Sequence, residues 1–242
     1  LILKLSFIFS FYKINWIYRP KSRVKRFLFF SFGINLFPKP FYARKSYLMP
    51  LKDSFEYGHS NGKFSVNFDR IDLNKFKFIN DEFILMAPSA AWEMKRWPTQ
   101  KWGRLIEDVS RNRKVILVGG SGDTFISSLY DNNNENVINM AGLTTLYETF
   151  YLIDKSKYVL SADTGVIHVA ELLGKRGGLL LGPTAFGRTE SEFIKVFESD
   201  LPCRPCSKDG RGNCKRSIYQ ECMENISYKE VRDDIISFIS PL

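Results

Sequence analysis

The sequence turns from a buried strand to a buried helix at Ser161-Ala162-Asp163-Thr164-Gly165-Val166-Ile167-His168. Apolar residues 158–160 precede the turn, and an almost wholly apolar run follows it until Gly174. Between the two runs lie one carboxylate, one hydroxyl and one glycine. Because a helix N-terminus has free N–H groups and a partial positive charge, this corner can either bind an anion or cap the helix.

The same alternation of apolar runs and helical patterns continues through most of the chain after residue 82. The other predicted strands are Phe83-Ile84-Leu85-Met86, Val115-Ile116-Leu117-Val118, Val137-Ile138 and Leu179-Leu180-Leu181. Continuous apolar strands separated by helices predict an α/β fold with a parallel, Rossmann-like sheet covered on both faces. Capping-box spacings that begin at Thr145 and Ser227 predict the starts of two helices.

In such sheets, ligands bind at the loops that leave the carboxyl ends of the strands. Five loops, all rich in small, hydroxylated or charged residues, occupy these positions: residues 87–98, 119–123, 140–144, 162–165 and 182–187. We therefore expect the chemistry of the protein at these loops.

The first two loops have features suited to phosphate. Lys95 and Arg96 can neutralise a diphosphate, although an adjacent cation pair is also common on solvated surfaces. Gly119-Gly120-Ser121-Gly122 has the setting of a phosphate-binding turn but matches neither G-x-G-x-x-G nor the P-loop. Asp123 either begins the following helix or binds ribose hydroxyls.

The remaining candidate residues are a histidine and four cysteines. His168 lies one turn into the apolar helix, where it is either a satisfied core residue or a donor near Asp163. Cys203, Cys206, Cys214 and Cys222 fall within twenty positions and begin with a C-x-x-C pair. Four thiols suit a structural zinc ion, and in a reducing compartment zinc or free thiols are favoured over disulfides.

The charge of the chain is concentrated at one end. The first fifty positions contain ten of the 35 basic residues, none of the 26 acidic residues and many aromatic ones, with a helix predicted at residues 23–30. This composition suits an anionic membrane surface or a phosphorylated acceptor, or equally a surface that packs on a missing partner half. Charges interrupt every apolar run, which excludes a transmembrane span there. Since the chain does not begin with Met, we expect an N-terminal truncation.

Several of these motifs, taken in order, resemble glycosyltransferase family 9, the ADP-heptose:lipopolysaccharide heptosyltransferases. They are Pro88-Ser89-Ala90-Ala91-Trp92-Glu93-Met94-Lys95-Arg96-Trp97-Pro98, Trp102, Asp163-Thr164-Gly165-Val166-Ile167-His168 and Gly182-Pro183-Thr184. Cys203-Arg204-Pro205-Cys206 and Cys222-Met223 are similar to the tail of the heptosyltransferase II branch. The resemblance implies a GT-B architecture, in which residues 76–242 form the C-terminal nucleotide-sugar domain. Residues 1–75 would be the remnant of the N-terminal acceptor-side domain plus a linker.

The resemblance also implies roles for individual residues. Lys95, with Arg96 beside it, would contact the donor diphosphate, and Thr164 and Gly165 would offer N–H groups to it. The other implied donor-binding residues are Ser89 and Ala90 beside the diphosphate, Asp123 at the ribose, Leu143 and Thr144 at the adenine, and Asp163 with His168 at the sugar-diphosphate. The implied reaction is an inverting, metal-independent transfer of heptose from ADP-heptose to the lipopolysaccharide inner core. The enzyme would need no cofactor and would lie peripherally on the cytoplasmic side of the inner membrane.

Three other functions compete with this interpretation. The resemblance places the general base in the missing N-terminal part, so the chain could instead be a non-catalytic nucleotide-sugar-binding remnant. The basic charge suggests a nucleic-acid-binding protein, but we predict no nucleic-acid partner and expect binding to anionic lipid instead. A dinucleotide oxidoreductase is disfavoured because G-x-G-x-x-G is absent.

Overall fold

The computed structural model describes residues 22–37, 42, 66–79, 82–214 and 216–239. These residues fall in two compact units, one that includes residues 22–37 and one that includes residue 42 and all described residues from 66 onward. Of the basic, aromatic first fifty positions, residues 1–21, 38–41 and 43–50 lie outside the described residues. The same holds for residues 51–65 and 80 of the linker expected at residues 51–80. The domain boundary at residues 75 and 76 stays a prediction.

The described part of the first unit, residues 22–37, contains helix α1, Arg23–Phe32, which confirms the helix predicted at residues 23–30. The helix ends at Gly33, whose positive φ of 72° is the left-handed cap conformation that glycine adopts without steric cost. Large apolar side chains on α1 are exposed, namely Val24, Phe27 and Phe32. None of the helices described in either unit is long and apolar enough to cross a membrane.

The second unit is built on a six-stranded, wholly parallel sheet. Its strands are β1 Phe83–Ala87, β2 Lys114–Leu117, β3 Val137–Asn139, β4 Tyr158–Ala162, β5 Gly177–Leu180 and β6 Ile194–Phe197. The spatial order β3-β2-β1-β4-β5-β6 is that of a doubly wound Rossmann sheet. The predicted α/β class and all five predicted strands are therefore confirmed.

Among the described residues, five α-helices accompany the sheet: α2 Thr99–Ser110, α3 Leu146–Lys155, α4 Gly165–Leu172, α5 Glu221–Glu224 and α6 Tyr228–Ile239. The capping box predicted for α3 is complete, because Thr145 and Glu148 exchange side-chain to backbone hydrogen bonds. The segment after β2 differs from the prediction. It forms a 3₁₀ helix, Thr124–Leu129, instead of an α-helix.

The sheet is buried on both faces, which explains why its strands are continuously apolar. Alternate residues of β1 point to opposite sides, so Ile84 and Met86 join one core cluster while Phe83 and Leu85 join the other. The first cluster packs against α2 and α6, and the second against α3 and α4. The two core clusters therefore fix the sheet from both faces, and with it the edge from which the loops leave.

Residues 66–79 also belong to this unit. Ile71 and Phe76 are buried in the second core cluster, and the ring of Phe68 lies 5.7 Å from Tyr147 and 5.4 Å from Tyr151 on α3. The segment includes a 3₁₀ helix, Leu73–Phe76, whose buried residue is Phe76. The part of the expected linker that the structure describes thus packs on the sheet domain.

Strand β5 depends on glycine where it meets its neighbours. A Cβ at Gly177 would overlap the carbonyl oxygen of Val159 on β4 and lie 3.1 Å from Ile194 Cδ1 on β6. Glycine inside a strand commonly marks such a close backbone approach.

We expect Gly177→Ala to lower the free energy of unfolding by about 1–3 kcal/mol, because the added methyl group overpacks a rigid strand contact. Denaturant unfolding measures this change. Gly122→Ala is the control, since a Cβ there meets nothing within 4 Å, and its effect should stay within about 0.5 kcal/mol. Equal effects of the two substitutions would contradict the proposed overlap.

Candidate functional site

The central strands bring the first and fourth predicted loops together. Strand β1 pairs with β4 in a register that places Ala87 opposite Ser161. The chain then leaves β1 into the loop that carries Lys95, and it leaves β4 into the corner at Asp163. In a doubly wound sheet this edge, beside the two central strands, is the usual ligand site.

Asp163 is the centre of a cluster of polar contacts at this corner. Lys95 Nζ donates a hydrogen bond of 2.5 Å to the Asp163 backbone carbonyl and lies 3.7 Å from its Oδ2. His168 Nε2 lies 3.4 Å from Asp163 Oδ1. A Cβ at Gly187 would overlap the same carboxylate. The structure therefore brings three predicted site residues together and holds them against the fifth loop.

The surroundings of Asp163 favour its charged form. Burial alone would raise the pKa of this carboxyl group, but the hydrogen bond from His168 and the charge of Lys95 outweigh burial and lower it. The Thr184 hydroxyl contributes in the same direction, although it is not in regular hydrogen-bond geometry with the carboxylate. Asp163 is consequently an anion at neutral pH, with two cationic side chains beside it.

The N-terminus of α4 has no side-chain cap in the structure. The hydroxyl of its N-cap residue, Thr164, lies 2.8 Å from Ser161 Oγ instead, and Asp163 faces His168 and Lys95. The alternative that a side chain of this corner caps the helix is therefore wrong. The first backbone N–H groups of α4 point into the corner, as required for binding an anion.

A second cluster joins the first and second loops. Ser89 Oγ donates a 2.5 Å hydrogen bond to Asp123 Oδ1, and Gly120 N donates one of 2.7 Å to Asp123 Oδ2. Arg96 Nε donates to the Ala90 carbonyl at 3.0 Å, and its guanidinium lies 3.8 Å from Asp123. Asp123 does not cap the following 3₁₀ helix. Its carboxylate ties the two loops together.

The third loop carries the two residues predicted at the adenine. Leu143 is 60% exposed, and the Thr144 hydroxyl lies 3.0 Å from the Thr149 hydroxyl on α3. The third loop is joined to the second by a hydrogen bond from Gly142 N to the Gly119 carbonyl at 3.0 Å. Leu143 thus offers an exposed apolar surface at the same sheet edge.

Two contact residues were not predicted from the sequence. Glu171 has a side chain only 5% exposed and lies 3.8 Å from His168 Nδ1. The sequence feature that could have indicated it is a single acidic residue within an apolar helix. Gly210 packs on the stem of Lys95, where a Cβ would lie 2.6 Å from Cγ and 3.0 Å from Cδ. No local sequence pattern indicates this second contact.

Gly210 belongs to a strap, residues 207–211, that lies across the first loop. The Ser207 hydroxyl accepts a hydrogen bond from Gly210 N at 2.9 Å, and residues 184 and 207 form an isolated parallel bridge. The Arg211 guanidinium lies 4.8 Å from the ring centre of Trp92. The strap thus joins the cysteine-containing segment to the loop of Lys95.

The four cysteines are free thiols, and Cys222 is buried. Burial raises the pKa of Cys222 to about 11, which keeps its thiol protonated. Within the described ranges, which include all four cysteines, no group of three or more His, Cys, Asp or Glu side chains is arranged to hold a metal ion. The geometry therefore gives the predicted zinc site at Cys203, Cys206, Cys214 and Cys222 no support, and zinc stays a prediction.

The chemistry of the corner suits an anionic ligand with a hydroxylated part. Lys95, Arg96 and the uncapped end of α4 supply positive charge, whereas Asp163 and Asp123 supply acceptors for hydroxyl groups. An exposed apolar surface at Leu143 completes the edge.

Known proteins share both sequence and fold with this chain. Lipooligosaccharide heptosyltransferase 2 of Haemophilus ducreyi is 26% identical over 215 residues, which are 83% of this chain and 58% of the relative. The protein of the same name from Haemophilus influenzae is 30% identical over 118 residues, 44% of this chain and 34% of the relative. The chain thus spans about half the length, or less, of these relatives.

Solved structures of GT-B heptosyltransferases have the same fold. The E. coli ADP-heptose LPS heptosyltransferase II superposes with a TM-score of 0.56 at 22% identity, over 69% of this chain and 49% of that one. E. coli heptosyltransferase WaaC with ADP-2-deoxy-2-fluoro heptose gives 0.54 at 16% identity, over 84% and 58%. The family model for glycosyltransferase family 9 (heptosyltransferase) matches residues 40–215. The chain therefore belongs to glycosyltransferase family 9.

Proposed function

We propose that this chain binds ADP-heptose in its sheet domain, residues 76–242, and serves in the transfer of heptose to the lipopolysaccharide inner core. The observation that carries the proposal is the cluster of Lys95, Asp163 and His168 at the uncapped end of α4. Family membership supports a nucleotide-sugar donor, and the related WaaC structure is a complex with an ADP-heptose analogue.

Each part of the donor has a matching group in this proposal. The diphosphate lies between Lys95 and the N-terminal N–H groups of α4, since both favour negative charge. Asp163 accepts hydrogen bonds from hydroxyl groups of the sugar. Ser89 and Ala90 lie beside the diphosphate. The ribose lies at Asp123, and the adenine lies along Leu143 and Thr144.

The proposed reaction is a metal-independent displacement with inversion at the anomeric carbon. A hydroxyl group of the acceptor attacks this carbon, the bond to the diphosphate breaks, and charge develops on the leaving phosphate oxygens. Lys95, Arg96 and the α4 dipole stabilise that charge in place. A side chain that accepts the proton of the attacking hydroxyl would contribute about 10²- to 10⁴-fold.

The site residues of the sheet domain are poor candidates for that proton acceptor. Asp163 has a lowered pKa and is already paired with Lys95 and His168, and Asp123 accepts hydrogen bonds from Ser89 and Gly120. A general base works best when its pKa lies near the working pH. These observations favour a second candidate function, donor binding without turnover. A transfer assay with this 242-residue chain separates the two functions.

We expect Lys95→Ala and Asp163→Ala each to weaken binding of ADP-heptose at least about tenfold, because each removes a charged partner of the donor. Isothermal titration calorimetry at neutral pH measures the affinity.

The matched controls are Lys157→Ala and Glu82→Ala, which remove the same charges from an ion pair of 2.7 Å outside the loop cluster, at the opposite edge of the sheet. Their affinities should equal that of the wild type within about twofold, a change too small to reflect a lost charged contact. Unchanged affinity in both Lys95→Ala and Asp163→Ala would contradict the site assignment.

We further propose that the first unit contacts an anionic membrane surface on the cytoplasmic side, where a lipid-linked saccharide acceptor is available. Val24, Phe27 and Phe32 of α1 are 71%, 60% and 64% exposed, and Arg23 and Lys25 are exposed beside them. Exposed aromatic and basic side chains on one helix favour the interface of anionic lipids.

We expect the chain to co-sediment with vesicles that contain anionic lipid and to dissociate as salt is added, since the screening length shortens. Phe27→Ser should weaken this binding by removing apolar surface. Phe193→Ser is the control, because it changes an exposed phenylalanine on the other unit. Tighter binding to duplex DNA than to the vesicles would contradict the proposal.

A further inference from the structure

A row of charged groups continues beyond Asp163 to the loop between β5 and β6, residues 181–193. His168 lies 3.4 Å from Asp163 through Nε2 and 3.8 Å from Glu171 Oε2 through Nδ1. Glu171 Oε1 in turn accepts hydrogen bonds from the backbone N–H groups of Glu190 at 2.6 Å and Ser191 at 3.0 Å. The row thus runs from the donor site to the backbone of another loop.

Both ring nitrogens of His168 face carboxylate oxygens, which act only as acceptors when ionised. A neutral imidazole has a single N–H donor, whereas an imidazolium has two. The charged ring therefore fits this position. The contacts with Asp163 and Glu171 raise the pKa of His168 to about 9 against the opposing effect of burial. Burial raises the pKa of Glu171, but His168 and the two backbone donors lower it overall.

The β5–β6 loop contacts both carboxylates of this row, Asp163 and Glu171. Gly187 packs directly on the Asp163 carboxylate, and residues 190 and 191 bind Glu171. The buried hydroxyl groups of Thr184 and Thr189, on the same loop, have no hydrogen-bond partner among the residues the structure describes. His168 contacts both of the carboxylates that fix the loop.

We propose that His168 is a positioning residue that holds the Asp163 carboxylate and the β5–β6 loop in the arrangement that receives the donor sugar. With Oδ1 engaged by His168, Asp163 Oδ2 faces Lys95 and accepts a sugar hydroxyl. The buried Thr184 hydroxyl lies beside the same carboxylate and helps to lower the pKa of Asp163. This inference rests on the proposed function, and it assigns His168 to recognition of the sugar and not of the nucleotide.

The proposal predicts a dependence on pH with a definite sign. The charged groups that face His168 are Asp163 and Glu171, and beyond them Lys95. Because the pKa of His168 is raised, the stabilisation from its contacts is complete below its ordinary pKa of about 6.5 and is lost as pH rises through about 9. Affinity for the donor sugar should decrease over the same interval.

The test combines proton titration with two ligands, ADP and ADP-heptose. The chain has only two histidines, so the NMR signal of His168 is assigned by its disappearance in His168→Gln. We expect that signal to titrate near pH 9 in the wild type and at a lower pH in Glu171→Gln. Glu107→Gln is the control for the lost carboxylate, since Glu107 pairs with Arg111 on the exposed face of α2.

Binding then separates a positioning role from a general structural one. At pH 7 we expect His168→Gln to weaken ADP-heptose about tenfold, the size of one lost charged hydrogen bond, and to leave ADP within about twofold. Between pH 7 and pH 10, the wild type should lose affinity for ADP-heptose relative to ADP. His168→Gln should show no such relative loss.

Other outcomes overturn the proposal in distinguishable ways. Titration of His168 in the ordinary range near pH 6.5, or equal weakening of ADP and ADP-heptose in His168→Gln, would refute the positioning role alone. Failure of the wild-type chain to bind ADP would refute the proposed function, and the positioning role with it. Thermal unfolding of each variant at pH 7 shows whether lost binding reflects lost folding.

Discussion

The site depends on the parallel pairing of β1 with β4. This register places Ala87 opposite Ser161, so two loops that are far apart in the sequence leave the sheet side by side. The next neighbours, β2 and β5, lie on opposite sides of this central pair. The chain therefore turns away in both directions, and Lys95 and Asp163 meet where the strand order reverses, the usual place for a ligand in such a sheet. Backbone hydrogen bonds buried between two apolar layers keep these side chains in reach of each other.

The electrostatics of the corner follow from that proximity. Lys95 and His168 supply positive charge to the same carboxylate, and Glu171 balances the far side of His168. Each charge is partly buried and has a partner of opposite sign, as buried charges require. Asp163 thus keeps its charge and its position without a hydrogen bond to the helix end. The N-terminus of α4 remains available to a ligand.

Much of this organisation could be predicted from the sequence because buried parallel strands and helix caps leave local patterns. The sixth strand was missed because β6 is not continuously apolar: Lys195 is exposed and Val196 only partly buried, between the buried Ile194 and Phe197. The helix expected after Asp123 is a 3₁₀ helix in the structure. The contacts of Glu171 depend on backbone groups about twenty positions later in the chain. Contacts of this kind arise from tertiary packing, so a reading of local residue patterns does not contain them.

The strap over Lys95 changes the dielectric environment of this lysine. Gly210 has a φ of 93° and lies directly on the methylene groups of the lysine, an approach that any side chain would prevent. With its stem covered, Lys95 keeps only 13% of its side chain exposed. Charges interact more strongly where water is excluded, because the effective dielectric constant falls. Gly210, more than a hundred positions further along the chain, therefore strengthens the electrostatic interactions of Lys95 through packing alone.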